Sequence, residues 1–132
     1  MYSCGIDLVE ISRVAKCMKN RLFLERFFSV EERRLFEQKK QASQTVAANF
    51  AAKEAFSKAL GTGIRGFALK EVSVLRDGLG TPYFVFEGKA AELVRGRNLA
   101  FSVSLTHTRD MAAAVVIAYV KEEKQLGQAD NI

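Results

Sequence analysis

Apolar residues along this chain recur at two spacings, one near two residues and one near three and a half, and the changes of spacing divide it into strands and helices. Cys4-Gly5-Ile6-Asp7-Leu8-Val9 is short and apolar around one acid, which predicts a buried strand carrying a single carboxylate. From Ser12 onward Val14, Met18 and Leu22 recur at helical spacing, with Arg13, Lys16, Lys19 and Arg21 on other faces. That pattern predicts a basic amphipathic helix running on toward Phe28. In Ser29-Val30-Glu31-Glu32 a serine is followed three residues later by a glutamate, the signature of a capping box and so of a short helix. It ends in the polar stretch 38–44, after which residues 45–60 form an alanine-rich helix of high intrinsic propensity, closed by Gly61.

Beyond the glycine-spaced loop 61–66 the pattern becomes strand-like. Val72-Ser73-Val74 and Tyr83-Phe84-Val85-Phe86 read as two strands joined by the turn Asp77-Gly78-Leu79-Gly80, with Pro82 at an edge or strand start. A helix over about 89–97 follows. Phe101, Val103 and Leu105 then alternate with Ser102, Ser104 and Thr106, and the buried-looking run 112–119 completes a hairpin around His107-Thr108-Arg109-Asp110. Strands and helices mix without regular βαβ alternation, so the expected class is α+β, a mostly antiparallel sheet packed with helices. The pattern supports a single domain over 1–120 with a polar, frayed tail over 121–132. It leaves the topology open.

Composition narrows the function classes. The chain has 132 residues, 48% of them hydrophobic, and contains no internal repeat or low-complexity tract. Met1-Tyr2-Ser3-Cys4-Gly5 does not resemble a secretory signal, and the longest apolar run, 112–120, is nine residues. A membrane helix needs roughly 20. The expectation is a cytoplasmic protein with no membrane association, whose Cys4 and Cys17 are reduced thiols. Two cysteines and one histidine cannot supply four zinc ligands from one chain, so any metal is expected to be a hard cation on carboxylates. The net charge of +5 points to a partner rich in negative charge without choosing among nucleic acid, an anionic membrane, a phosphorylated cofactor and an acidic protein.

Glu54 and Lys58 lie four apart on the alanine-rich helix and share a face. By spacing alone they are an ordinary surface ion pair. Asp7 changes the picture, because an acid inside an apolar strand is costly unless it is paired or bound to a metal. Two carboxylates and a lysine suit magnesium and a pyrophosphate, since magnesium takes one or two protein carboxylates and completes its octahedron with water and phosphate oxygens. Backbone hydrogen bonds or an arginine partner for Asp7 remain the plain alternative.

At this point the sequence resembles the holo-acyl-carrier-protein synthases, the small phosphopantetheinyl transferases. The resemblance rests on Gly5-Ile6-Asp7-Leu8-Val9-Glu10-Ile11-Ser12-Arg13, on residues 50–63 and on Ser104-Leu105-Thr106-His107-Thr108, with Phe28 to Glu32 and Gly80-Thr81-Pro82 between them. It implies a phosphopantetheinyl-transferase-like fold. It also implies transfer of 4'-phosphopantetheine from coenzyme A to a serine of apo acyl carrier protein, releasing 3',5'-ADP and supporting fatty acid biosynthesis. It further implies Mg2+ on Asp7 and Glu54, and Lys58 on the coenzyme A pyrophosphate. Phe50, Gly61, His107 and Thr108 become cofactor contacts, with Pro82 approaching from a neighbouring subunit of a homotrimer. Arg13, Arg21 and Arg26 resemble the family's surface for the acidic carrier protein. Two departures stand out: Thr106 replaces a serine but keeps the hydroxyl, and Asn49 stands where family members often carry an arginine. Loss of that cation removes a plausible phosphate contact unless Arg65 or another neighbour compensates.

Two other readings compete. Basic residues near Phe23, Phe27 and Phe28 suit a nucleic-acid-binding module, although the phenylalanine spacing is that of a core and such a module gives Asp7 no role. A non-catalytic trimeric scaffold would explain Asn49 but not the retention of Asp7, Glu54, Lys58 and His107.

Overall fold

The structure, a computed structural model, describes residues 2–61, 63 and 65–122. In chain order the elements are β1 (Tyr2–Glu10), α1 (Ile11–Cys17), α2 (Arg21–Phe27), α3 (Val30–Glu37), α4 (Ala42–Leu60), a 3-10 turn (Leu69–Glu71), β2 (Val72–Arg76), β3 (Pro82–Phe86), α5 (Gly88–Gly96), β4 (Leu99–His107) and β5 (Met111–Val120). The class is α+β, as the mixed pattern implies. Strands β1, β5 and β4 form an antiparallel sheet in that order, and β2 and β3 form a separate antiparallel hairpin. From residue 123 on, the expected tail lies outside the described residues, as do Thr62 and Ile64 in the glycine loop.

Helix α4 is the axis of the molecule because small residues let the sheet reach it. A Cβ at Gly5 would run into the carbonyl oxygen of Ala55, so β1 crosses α4 at backbone contact, and the Ser3 hydroxyl donates to the Ala59 carbonyl. Ala51, Ala55 and Ala59 are sealed there with Ala114, Val116 and Ala118 of β5. On another side of α4 the Phe56 ring meets Phe67, Phe84, Phe86 and Phe101 at centroid distances of 5.0 to 5.5 Å. Burying a ring of that size contributes about 1.5–3 kcal/mol. A second cluster joins Ile11 and Val14 of α1 to Phe28, Phe36, Val46 and Ala112. Phe23 packs edge-to-face on both Phe27 and Phe28, the core role that their spacing suggests.

Local signals set several boundaries. The Ser29 hydroxyl accepts from the Glu32 amide while the Glu32 carboxylate accepts from the Ser29 amide, so the capping box forms and starts α3. Gly61 ends α4 at φ 79°, a conformation suited to a residue without Cβ. Asp77 closes the β2–β3 turn by accepting from the amides of Leu79 and Thr81, and Pro82 opens β3.

Three expectations are corrected. The basic helix does not run unbroken toward Phe28: it stops at Cys17, and α2 starts afresh at Arg21, where the Asn20 side chain accepts from the Leu22 amide. Strand β1 is covered on one face only. Gly5 is buried against α4, but Ile6 and Leu8 are 65% and 62% exposed. The run 112–119 alternates in the same way, with Ala112, Ala114, Val116 and Ala118 buried and Ile117 and Tyr119 directed to the other face. Apolar residues on both faces of a strand read as full burial. Here the outer face of the sheet stays open and apolar.

Candidate active site

Helix α4 is so enclosed that the exposure of its few open positions is informative. Among residues 46–60 only Phe50, Glu54 and Lys58 are not buried. They fall four apart, so they form one line along the helix, and that line faces β1. The Lys58 ammonium donates to the Asp7 carboxylate at 3.2 Å and to the Ile6 carbonyl at 2.9 Å. Asp7, Glu54 and Phe50 line one cleft of about 320 Å³ together with Glu10, Arg13 and Cys17. The strand acid, the helix acid and the lysine, 51 residues from Asp7 in sequence, thus meet at one place.

The electrostatics of the cleft fit a cation. Burial, and after it the negative charge of Asp7, raise the pKa of Glu54 above the usual glutamate value, against the opposing pull of Lys58. A cation bound beside Glu54 would offset both its burial and the nearby negative charge of Asp7. Among the described residues no group of three or more His, Cys, Asp or Glu side chains surrounds a common point. Two oxygen-donor side chains suit a magnesium ion that keeps most of its water, and they do not suit zinc.

The lysine next to Glu54 has a different place. Lys53 is fully buried and donates to Glu32 at 2.5 Å and to the carbonyls of Phe27 and Leu69 at 2.9 Å. Burial lowers the Lys53 pKa and raises that of Glu32, and the pair offsets part of each penalty.

Of the expected cofactor contacts, His107 and Pro82 lie at a second cleft. His107, Thr106 and Pro82 line a cavity of about 250 Å³ with Gln44, Thr45 and Arg76. Asp7 and His107 are separated because β1 and β4 flank β5 on opposite sides. Thr108 turns its hydroxyl to the hairpin, where it accepts from the amides of Asp110 and Met111. Of the three arginines expected on a carrier protein, Arg13 lines the first cleft. Arg21 is 92% exposed and pairs with Glu25, while the Arg26 guanidinium sits 5.4 Å from the Phe27 ring centroid. Asn49 is fully buried, so position 49 faces the interior here. Sequence reasoning passed over Glu10, Cys17 and Arg76. The signal for Arg76 was its place opposite Pro82 in the hairpin register.

The fold and its two clefts define a class, and comparison with known proteins agrees with it. Residues 3–116 match the family model of the 4'-phosphopantetheinyl transferase superfamily. The chain is 41% identical over 116 residues to the holo-[acyl-carrier-protein] synthase of Alkaliphilus oremlandii, an alignment covering 86% of this chain and 95% of that one. Its fold is similar to the crystal structure of the Neisseria meningitidis synthase, with a TM-score of 0.83, 31% identity and coverage of 89% and 97% of the two chains. It is also similar to the Helicobacter pylori synthase solved in complex with coenzyme A, with a TM-score of 0.77, 34% identity and coverage of 88% and 99%. The chain belongs to the 4'-phosphopantetheinyl transferase superfamily and, within it, to the holo-[acyl-carrier-protein] synthases, a family of enzymes.

Proposed function

We propose that this enzyme transfers the 4'-phosphopantetheine group of coenzyme A to a serine of apo acyl carrier protein, supporting fatty acid biosynthesis in the cytoplasm. The observation that carries the reading is the open line Phe50, Glu54 and Lys58 on an otherwise sealed helix, facing Asp7. In the reaction the serine oxygen attacks the β-phosphorus of coenzyme A, the bond from that phosphorus to the bridging oxygen breaks, and 3',5'-ADP leaves. Asp7 and Glu54 would hold Mg2+, which when bound neutralises phosphate charge and aligns the pyrophosphate. Lys58 stabilises the charge gathering on the departing phosphate. Glu54, directly or through a water held at the ion, would receive the serine proton. Phe50 forms an apolar wall of the cleft, and Gly61, His107 and Thr108 contact the remainder of the cofactor. Arg13 at the cleft, with Arg21 and Arg26 on α2, receives the acidic carrier.

The separation of the two clefts supports shared sites. If the Asp7 cleft of one subunit meets the cleft of Pro82 and His107 on the next, the contact is head-to-tail and closes as a ring. The open sheet face, with Tyr2 78%, Ile6 65% and Leu8 62% exposed, offers the apolar surface for a homotrimer. No helix among the described residues is long and apolar enough to cross a membrane.

The test is an assay with purified chain, Mg2+, coenzyme A and an apo carrier, read by intact mass of the carrier and native mass of the enzyme. The carrier should gain one phosphopantetheine, and the enzyme should run as three copies. An unshifted carrier, beside a working synthase in the same buffer, removes the transferase reading; a monomer removes the shared site.

A further inference from the structure

A row of polar side chains runs from the interior to the second cleft. Lys53 holds Glu32 at 2.5 Å, the other Glu32 oxygen accepts from the Asn49 amide at 2.9 Å, and the Asn49 oxygen accepts from Arg76 Nη2 at 2.8 Å. Lys53 neutralises Glu32, so the uncompensated positive charge of the row sits at its outer end, on Arg76. There the guanidinium lines the cleft with Pro82, Thr106 and His107. Its remaining bonds, from Nη1 to the carbonyls of Val74 and Leu75, are long at 3.4 Å, and among the described residues it forms no ion pair. Burial lowers its pKa and the more distant Glu32 carboxylate only partly opposes this, the mark of a cation short of solvation. A half-buried, unpaired guanidinium on the wall of a cavity favours an anion there.

Asn49 cannot meet that need. Its amide donates to Glu32 and to the Val74 carbonyl, its oxygen is taken by Arg76, and it is fully buried. An arginine at position 49 would set a second guanidinium against Arg76, whereas a neutral asparagine orients it. We propose that Arg76 supplies the phosphate-binding cation of this cleft in place of the arginine often found at position 49 of the family, and that its ligand is the 3'-phosphate of coenzyme A. The inference rests on the coenzyme A reading above. Coenzyme A carries a pyrophosphate and a 3'-phosphomonoester; Lys58 and the carboxylate cleft account for the former, which leaves the monoester for the planar fork of Arg76.

Titration calorimetry with adenosine 3',5'-bisphosphate and adenosine 5'-monophosphate, which differ by that one phosphate, reads the assignment. The unmodified enzyme should prefer the bisphosphate by about tenfold or more, the scale of one charge-assisted hydrogen-bond pair. Arg76→Gln keeps an amide donor for Asn49 but no charge, and should reduce the preference to about twofold, while Arg76→Lys retains most of it. The KM for coenzyme A should rise in Arg76→Gln with kcat held and with the KM for dephospho-coenzyme A unmoved. The Arg76 Nε–Hε resonance, assigned by its absence in Arg76→Lys, should move with bisphosphate and not with monophosphate. An unmoved resonance, a preference intact in Arg76→Gln, no preference in the unmodified enzyme, or equal weakening of both nucleotides overturns the proposal. A clear preference lost in Arg76→Gln without any transfer to a carrier would leave Arg76 assigned and remove the transferase reading.

Discussion

Two lysine–carboxylate pairs sit five residues apart on α4 and do opposite things. Lys53 and Glu32 touch at 2.5 Å with both side chains at 0% exposure, whereas Lys58 and Asp7 meet at 3.2 Å with side chains 55% and 18% exposed. The first pair is closed on every side by carbonyls, an asparagine and the Val74 amide. It has no capacity left for a ligand. The second borders a cleft, shares it with Glu54 and is loosely held. The contrast separates an ionic contact that organises a core from one that can open toward a substrate, and it comes from what surrounds each pair rather than from the residue types.

The largest effect should follow from breaking the closed pair. Lys53→Met leaves the Glu32 carboxylate buried without its cation, which costs about 3–5 kcal/mol and should show as a large fall in the urea midpoint. Adding Glu32→Met to that variant should recover much of the loss, because two apolar side chains leave no buried charge. If Lys53→Met were as stable as the parent but catalytically dead, Lys53 would belong to the active site and the contrast would collapse.

A smaller effect on stability, but a large one on chemistry, is expected at the open pair. Lys58→Ala removes a solvent-screened contact and should change stability by no more than about 0.5 kcal/mol. Transfer should fall about a hundredfold in kcat, the scale of losing one charge aimed at a leaving group. Unfolding of this variant, or undiminished turnover, would each place Lys58 on the wrong side of the comparison.

The sequence revealed the local half of this picture. The capping box of Ser29 and Glu32 is legible because both partners lie within one turn. The same Glu32 also binds Lys53 and Asn49, 21 and 17 residues away, and nothing in a local pattern announces that second task. Lys53 reads as one more helix lysine until Phe27 and Leu69 turn their carbonyls to it. Glu54 and Lys58 were visible as a spaced pair, but their meeting with Asp7 rested on family resemblance, since the contact joins positions 51 residues apart. Ile6 and Leu8 look like core residues in the sequence, yet they lie on the side of the sheet that α4 does not cover. The break at Asn20 was legible in principle as an N-cap, and the basic periodicity on either side masked it.

The smallest effect tests whether the open cleft waits for a cation. Glu54 has its pKa raised by burial first and by Asp7 second, so the folded protein keeps this proton to higher pH than the unfolded chain does. The folded state therefore binds more protons than the unfolded one between the ordinary value of 4.5 and the raised folded pKa. Stability contributed by the protonated form is full below that window and declines as pH rises through it. Because Glu54 is partly exposed, solvent discounts the effect and makes it the smallest of the three. Glu54→Gln should flatten the decline, whereas Mg2+, which favours the ionised carboxylates, should raise Tm more above the window than below it. A magnesium shift independent of pH and unchanged in Glu54→Gln would put the ion elsewhere and leave the two acids of this cleft without the shared ligand that their mutual repulsion calls for.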